Sequence, residues 1–261
     1  MRALKIAATG MSAQQLRVET ISNNLSNMST TGYNARRAEF ADLHYQQLTR
    51  PGTINATDGT VLPTGVQLGL GVRPSAVSVQ LQQGALSSTG GDLDLAIEGK
   101  GYFEVTLPSG LTAYTRDGGL KRDGEGLIVT SDGYPVEPEI VIPDDTRSIS
   151  INSSGEVYAY FADAPEAQLL GQFNMAGFTN SKGLEALGSN LFSETEASGA
   201  ALVSTPGEDG LGTVRQGFLE DSSVDAVREI TELIEAQRGY EMNAKVISAA
   251  DQMMGATTQI R

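Results

Sequence analysis

Cysteine and tryptophan are absent from this chain, and aromatic residues make up only 6% of its 261 positions. The lack of cysteine excludes disulfides, thiolate metal sites and cysteine nucleophiles. The scarcity of aromatic rings leaves little surface on which bases or sugars could stack. Long apolar runs are also missing, since none approaches the roughly 18 residues that span a bilayer.

Proline is missing from both ends of the chain. All nine prolines, and 26 of the 30 glycines, lie between Pro51 and Asp221. Both ends also carry apolar residues at helical spacing. The sequence therefore predicts an α+β fold, in which long N- and C-terminal helices bracket a central antiparallel β-rich region.

The apolar stripes of the two ends advance in alternating steps of three and four residues, as in the heptad seam of a coiled coil. Gln14, Gln237 and Asp251 are their polar members. A capping box at Ser222 and Asp225 predicts that the C-terminal helix begins near Val224. The stripes are Leu4, Ala7, Met11, Gln14, Val18, Ile21, Leu25 and Met28, and Ile230, Leu233, Gln237, Tyr240, Ala244, Ile247, Asp251 and Met254.

Further apolar residues lie away from these stripes. A lone pair of helices would bury one stripe on each helix and leave the other apolar residues in water. We therefore expect the helices to have several neighbours, in a coiled-coil-like layer between subunits. An intramolecular helical hairpin, or a lid on the β domain, is the alternative. The off-stripe residues are Ile6, Leu16, Val227, Ile234, Met242 and Val246.

The middle of the chain has turn signals every ~8–12 residues, with short β-branched segments between them, which is typical of antiparallel hairpins. Asp117-Gly118 and Asp132-Gly133 are two such turns. We predict a terminal helical polymerisation domain of residues 1–45 and 222–261, an extended linker over 46–75, and a central β domain over 76–221. The linker is expected to dock on a neighbouring copy.

Charge is unevenly distributed along the chain. Residues 1–50 have six basic and three acidic side chains, for a net +3, and residues 222–261 have four and six, for −2. The middle, 51–221, has eight and 23, for −15. Opposite charge favours packing of the two ends on each other. An acidic middle argues against a nucleic-acid partner, because binding phosphates needs clustered Lys and Arg.

No catalytic motif is convincing. His44, the only histidine, has no partner at a useful spacing, and we interpret it as a surface or packing residue. Asp92 and Asp94 would share one face of a strand, which polar faces of antiparallel sheets produce routinely. Gly69-Leu70-Gly71 starts a dinucleotide fingerprint but has Pro74 where the third glycine belongs. We expect no enzyme activity, cofactor, metal or small-molecule substrate.

Several separated motifs resemble those of bacterial flagellar rod and hook axial proteins. The resemblance covers nearly the whole chain, and its length and residues 36–43 are most similar to distal rod members of the family. Asn34 departs from the Lys or Gln that is frequent there. The motifs are Ile21–Tyr33 (ISNNLSNMSTTGY), Leu95–Phe103 (LAIEGKGYF), Tyr114–Gly118 (YTRDG), Asp132–Val136 (DGYPV), Gln216–Glu220 (QGFLE) and Glu235–Glu241 (EAQRGYE).

The resemblance implies a structural subunit that polymerises as a helical tube across the periplasm, with the terminal helices around the channel and the β domain outward. Implied partners are further copies of the chain, the proximal rod proteins, the hook protein, the L and P rings and the flagellar export apparatus. Export without a cleavable signal peptide is expected, because the apolar run after Lys5 breaks at Thr9-Gly10. The linker is expected to lock adjacent subunits.

We predict that residues of the stripes and of the N-terminal motif form the subunit interface. Alternatives are a proximal rod or hook subunit of the same family, and a secreted β-domain binding module such as an adhesin with a helical stalk. The predicted interface residues are Leu4, Met11, Val18, Ile21, Asn23, Asn24, Leu25, Met28, Ile230, Leu233, Gln237, Tyr240, Ile247 and Met254.

Overall fold

Long helices form both ends of the chain, as the sequence predicts. The computed structural model describes residues 2–50, 64–161 and 166–259. Helix α1 spans Arg2–Ser26 and helix α2 spans Ala226–Gln259. Helix α1 ends just before the Asn, Ser, Thr and Gly cluster of residues 27–32, whose side chains compete for backbone hydrogen bonds. No helix of the described chain combines the length and apolarity that a membrane crossing requires.

The chain divides into two compact units. The helical unit comprises Met1–Leu25, Arg36–Ser78 and Asp225–Arg261, and the β unit comprises Ser26–Ala35 and Val79–Val224. The predicted linker over 46–75 falls within the helical unit.

Four strands accompany the helices in the helical unit. They form two ribbons, in which β1 pairs with β4, and β2 pairs antiparallel with β3. Leu43 N donates to Gly71 O at 2.8 Å, which ties the ends of the two ribbons together. The strands are β1 (Arg36–Asp42), β2 (Tyr45–Thr49), β3 (Val66–Gly69) and β4 (Val72–Val79).

The β unit consists of short strands that pair antiparallel with their neighbours. Its largest sheet has seven strands in the order β16-β17-β8-β7-β15-β18, with β11 also on β7. Further sheets are β12-β13-β14, β9-β10, β6-β19 and β5-β20. The strands are β5 (Leu86–Ser88), β6 (Leu95–Glu98), β7 (Tyr102–Thr106), β8 (Thr112–Thr115), β9 (Lys121–Arg122), β10 (Ile128–Val129), β11 (Val136–Glu137), β12 (Thr146–Ile151), β13 (Glu156–Phe161), β14 (Gln168–Gln172), β15 (Met175–Gly177), β16 (Glu185–Gly188), β17 (Leu191–Ser193), β18 (Leu202–Ser204), β19 (Thr213–Gln216) and β20 (Phe218–Glu220).

The core of the β unit lies between these sheets. Phe103 and Phe173 are fully buried and meet edge to face, with ring centroids 6.3 Å apart. A second apolar cluster forms around Tyr102 and Tyr114, where the Tyr114 and Phe178 rings meet at 4.8 Å. Edge-to-face packing places the positive edge of one ring on the negative face of the other.

One predicted strand is shorter than expected. The alternation of Asp92–Ile97 predicts a half-buried strand, but β6 begins at Leu95, and Leu95, Ala96 and Ile97 are all buried. Asp94 only bridges to Gly119, and its carboxylate accepts a hydrogen bond from the Thr89 hydroxyl. The paired-aspartate face therefore does not form, because the aspartates precede the strand instead of alternating along it.

Candidate functional site: the paired terminal helices

Asp225 caps helix α2. Its Oδ1 accepts hydrogen bonds from the backbone N–H groups of Val227 and Arg228, at 3.0 and 3.3 Å. A side chain at this position satisfies donors that have no partner in the first turn of a helix. The prediction that Ser222 caps the helix is wrong by one turn. The Ser222 hydroxyl instead accepts from Val224 N, and α2 begins at Ala226.

Helices α1 and α2 pack against each other antiparallel. Arg17 Nη2 lies 3.4 Å from Glu232 Oε2 and 3.5 Å from Glu235 Oε2. Contacts nearer the start of α1 fall farther along α2, where Gly10 faces Asn243. The +3 and −2 charges of the two ends thus contribute a direct ionic contact. Partly exposed pairs of this kind typically stabilise by less than ~1 kcal/mol.

Each helix places a glycine opposite an amide side chain of the other. A Cβ built on Gly10 would lie 2.9 Å from Asn243 Nδ2, and one built on Gly239 would lie 3.1 Å from Gln14 Cδ. Ordinary contacts between carbon atoms are about 3.5–4.0 Å. Glycine at both places therefore leaves room for an amide side chain of the other helix, which would have to shift if a Cβ were added, and we call this arrangement the glycine–amide packing.

Polar atoms are also buried along the contact between α1 and α2, which we call the seam. Gln14 Oε1 and Glu229 Oε2 are buried and find no hydrogen-bond donor among the described residues. Burial raises the pKa of Glu229, whereas its hydrogen bond with Asn24 acts in the opposite direction. Asn24 also holds β1 in place, because its Nδ2 donates to Arg36 O at 2.8 Å and its Oδ1 accepts from Arg36 N at 2.9 Å.

Small side chains occupy most of the buried positions of the helices. Ala236 and Ala250 are buried on α2, where the predicted stripe has Gln237 and Asp251, which are exposed. The seam within the chain thus lies one residue earlier than the large apolar side chains indicate. Spacing of small residues is the signal that could have located it. The buried apolar helical residues are Ala7, Ala13, Ile21, Ala236 and Ala250.

Large apolar side chains instead cover the outside of the helices. Val227 is 76% exposed and Met253 67%. Five of the six residues that the sequence places off the stripes are among them, and Leu16 is half-buried. An exposed set of this kind marks an interaction surface when its members are contiguous. We call it the outer helical face: Ile6, Val227, Ile230, Ile234, Tyr240, Met242, Val246 and Met253.

The predicted interface residues have three kinds of environment. Ile21 and Asn24 are buried by their own chain, so their surroundings are already complete without a second subunit. The other twelve are at least partly accessible, and a role between subunits stays a prediction for all fourteen. Leu4, Met11, Val18, Leu25, Leu233, Ile247 and Met254 are half-buried, and Asn23, Met28, Ile230, Gln237 and Tyr240 are exposed.

The ribbon of β2 and β3 is a second apolar surface of the helical unit. Tyr45, Leu48, Val66 and Leu68 are all between 42% and 57% exposed. A two-stranded ribbon alone is marginally stable in water, and apolar side chains that stay exposed add nothing to its stability. The ribbon carries part of the predicted linker, and residues 51–63 of that linker lie outside the described chain.

In the β unit, four of the separated sequence motifs meet at Arg116. Its Nε donates to Glu220 Oε2 at 2.6 Å, and its guanidinium donates to Gly101 O at 3.1 Å and Gly99 O at 2.7 Å. Gly32 N donates to Glu220 O at 2.8 Å. A Cβ on Gly32 would lie 2.9 Å from the Arg116 carbonyl carbon. The motifs are thus explained by a buried structural junction.

Among the described residues, the structure adds no catalytic or cofactor-binding partner to the remaining candidate sites. His44 is exposed between β1 and β2, and Gly69-Leu70-Gly71 joins β3 to β4 instead of opening a helix. Within residues 2–50, 64–161 and 166–259, no group of three or more His, Cys, Asp or Glu side chains is arranged to hold a metal ion.

Three family models match successive parts of the chain. "Flagella basal body rod protein" matches residues 4–34, "Flagellar hook protein FlgE/F/G D1 domain" matches 96–159, and "Flagellar basal body rod FlgEFG protein C-terminal" matches 215–260. The first and last cover α1 and α2, and the second covers much of the β unit. Together they define the class as structural proteins of the flagellar rod and hook.

Full-length relatives narrow this class. The chain is 53% identical to the flagellar basal-body rod protein FlgG of Caulobacter vibrioides, over 100% of both chains. It is 49% identical to FlgG of Agrobacterium fabrum, over 97% of both, and 45% identical to FlgG of Borreliella burgdorferi, over 100% of this chain and 99% of the relative. The chain belongs to the FlgG family, whose members are structural subunits of the flagellar distal rod.

Proposed function

We propose that the protein polymerises through its outer helical face into a rigid helical tube, which transmits torque across the periplasm from the motor to the hook. The observation that carries this proposal is the contrast between the residues that the two helices bury and those that they leave exposed. Most buried positions of the helices hold small or polar residues, with Ile21 as a large apolar one, while Ile230, Ile234 and Met242 are left in water.

The energetics are compatible with assembly. Burying one fully exposed Val, Leu, Ile or Met side chain contributes ~1.5–3 kcal/mol. The eight residues of the outer helical face are already about half buried, so burying the rest contributes on the order of 6–12 kcal/mol, which is comparable to the ~4–15 kcal/mol that association costs in lost freedom. A contact between two different surfaces of identical subunits does not close on itself, and it generates a helical filament when its rotation leaves the ring open.

The partners that we propose are those expected along such a tube. They are further copies of the chain, proximal rod proteins below, the hook protein above, and the L and P rings around it. Delivery by the flagellar export apparatus completes the proposal. The exposed β2–β3 ribbon supports a locking contact with a neighbouring subunit, since burial of its four large side chains would stiffen the joint.

The test is a double substitution of Ile230→Ser and Ile234→Ser in the full chain. We expect a folded monomer that forms no tubes, as measured by sedimentation and electron microscopy, and a non-motile cell when it replaces the natural protein. The matched control is Glu241→Ser, which changes an exposed polar residue of the same helix. Tubes formed by the double variant at the concentration that the unchanged protein needs would refute the proposal.

A further inference from the structure

The β2–β3 ribbon is joined to the β1–β4 ribbon by two very short connections. Leu43 and His44 connect β1 to β2, and Leu70 and Gly71 connect β3 to β4. We call these four residues the ribbon base. The hydrogen bond from Leu43 N to Gly71 O ties the two connections to each other. Because the connections leave little slack, whatever holds the ribbon base also sets the direction in which the β2–β3 ribbon leaves.

Thr9 of helix α1 contacts the strand that follows the ribbon base. Its Oγ1 accepts a hydrogen bond from Val72 N at 3.3 Å and donates one to Ile6 O of its own helix at 2.7 Å. The single proton of the hydroxyl is thus used within α1, and a lone pair of the oxygen is left for the strand. A methyl group in its place could neither donate nor accept.

Gly71 brings the backbone of the ribbon base against the same hydroxyl. A Cβ built on Gly71 would overlap Thr9 Oγ1. The φ of Gly71 is +117°, a backbone conformation that residues with a side chain rarely adopt. Both the turn and the close contact therefore require glycine here. This gives a structural role to a glycine that the sequence places in an incomplete dinucleotide fingerprint.

A second attachment to α1 lies at the other end of β1, where Asn24 binds both the N and the O of Arg36. Thr9 and Asn24 are 15 positions apart, which is ~22 Å of helix. From Arg36 to Leu43 the chain advances seven positions, which is ~23 Å of strand. The matching lengths indicate that β1 runs along α1 and is fixed to it at both ends.

Two attachments prevent a movement that one would allow. A strand held only at Asn24 could pivot about that point, whereas the contact at Thr9 fixes its far end and the ribbon base with it. The exposed apolar side chains of the β2–β3 ribbon are then presented in one position. A preorganised surface loses less conformational freedom when a partner binds, so more of its burial energy stabilises the contact.

We infer that Thr9 is the positioning residue of the β2–β3 ribbon, and that the stiffness of the polymer depends on its hydroxyl. The inference rests on the proposed locking contact and adds the residue that directs the ribbon toward it. Thr9 and Gly10 are neighbours in sequence but serve different contacts, because Gly10 lies against Asn243 of α2. The anchor of the ribbon can therefore be changed without changing the helix pair.

The test compares two variants of the full chain. Thr9→Val keeps the size of the side chain but loses the hydroxyl, and Thr9→Ser keeps the hydroxyl. In the unassembled chain, amide hydrogen exchange at Val72 is expected to become about 2–10-fold faster in Thr9→Val, as the loss of one hydrogen bond predicts, and to stay unchanged in Thr9→Ser.

The second measurement is the persistence length of the polymer in electron micrographs. It is expected to fall in Thr9→Val toward the value of a chain without residues 46–64, and to be kept in Thr9→Ser. Gly71→Ala disturbs the same contact from the strand side and should act like Thr9→Val. Thr231→Val is the matched control, because this exposed hydroxyl donates to Val227 O of its own helix, and neither measurement should change.

Unchanged exchange at Val72 in Thr9→Val would overturn the inference, because the hydroxyl would then hold nothing. Faster exchange with an unchanged persistence length would overturn the dependence of stiffness on this anchor. The proposed function fails in a different way: the unchanged chain would form no polymer, or loss of residues 46–64 would leave its stiffness unchanged. Exchange in the unassembled chain is measured independently of both results.

Discussion

Arg116 and Glu220 form a buried ion pair, 2.6 Å from Nε to Oε2, with side-chain exposures of 9% and 3%. Glu220 Oε1 accepts a further hydrogen bond from Gly84 N at 3.0 Å. The guanidinium is also satisfied by backbone carbonyls on β-unit loops. Removing one partner of such a network leaves an uncompensated charge in the interior, which costs much more than the pair itself contributes.

Arg116→Met is therefore expected to lower the free energy of unfolding of the β unit by ~3–5 kcal/mol. Arg122→Met is the matched control, because its partner Asp144 is 95% exposed, and its cost should stay below ~1 kcal/mol. Urea denaturation followed by tyrosine fluorescence measures both, since the chain has no tryptophan. Similar costs for the two variants would contradict the structural role of Arg116.

Gly10→Val tests the glycine–amide packing. The branched side chain must displace Asn243, and the overpacking is expected to cost ~1–3 kcal/mol of helix-pair stability. Gly255→Ala is the control, because nothing lies within 4 Å of the added Cβ and alanine favours the helix by up to ~1 kcal/mol. Thermal melting followed by far-ultraviolet circular dichroism gives both values. A higher melting temperature for Gly10→Val would show that the glycine–amide packing has no importance.

Glu229→Gln should change how stability depends on pH. Burial raises the pKa of Glu229 above 4.5, so the proton favours the folded helix pair. The stability that protonated Glu229 contributes is fully present below its pKa in the unfolded chain, near 4.5. It is lost as the pH rises through the higher pKa of the folded chain. The glutamine variant is thus expected to melt at a higher temperature at neutral pH, with the difference vanishing in acid.

Melting curves between about pH 4 and pH 8, on either side of the ordinary glutamate pKa, check this expectation against Glu241→Gln. Glu241 is exposed on the same helix, so its replacement controls for the loss of one negative charge. A stabilisation by Glu229→Gln that grew as the pH fell would have the wrong sign.

Deleting residues 46–64 should soften or curve the polymer without preventing its assembly. The deletion removes all of β2 except Tyr45, including the exposed Leu48, and so abolishes the pairing with β3. Electron micrographs of the filaments give their persistence length. Unchanged stiffness would count against a locking role for the ribbon.

The helical ends, the β-rich middle and the family were predictable from the sequence, because proline, glycine and short motifs are local signals. Both terminal helices and the antiparallel pairing of the short central strands agree with these signals. The seam was not predictable from large apolar residues. Its packing depends on Gly10 and Gly239, and glycine in a helix is read as a weakness unless the opposing residue is known.

The Arg116 junction shows a second limit of the sequence. Arg116, Glu220 and Gly32 belong to three motifs that the sequence identifies only as a family resemblance. These residues meet through long-range contacts. No spacing along the chain reveals that Gly32 must pack directly against the backbone of Arg116. The exposure of Ile234 and Val246, in contrast, follows from helical periodicity and was predicted.

The pairing of α1 with α2 joins the two ends of the sequence. Arg17 and Glu232, which are in contact, lie 215 positions apart, so their contact can form only when the whole β unit between them has been synthesised. Closing so long a loop costs entropy before the contact contributes any stability. The helix pair is therefore expected to form late in folding, and a chain that lacks either end should leave the other helix without its partner.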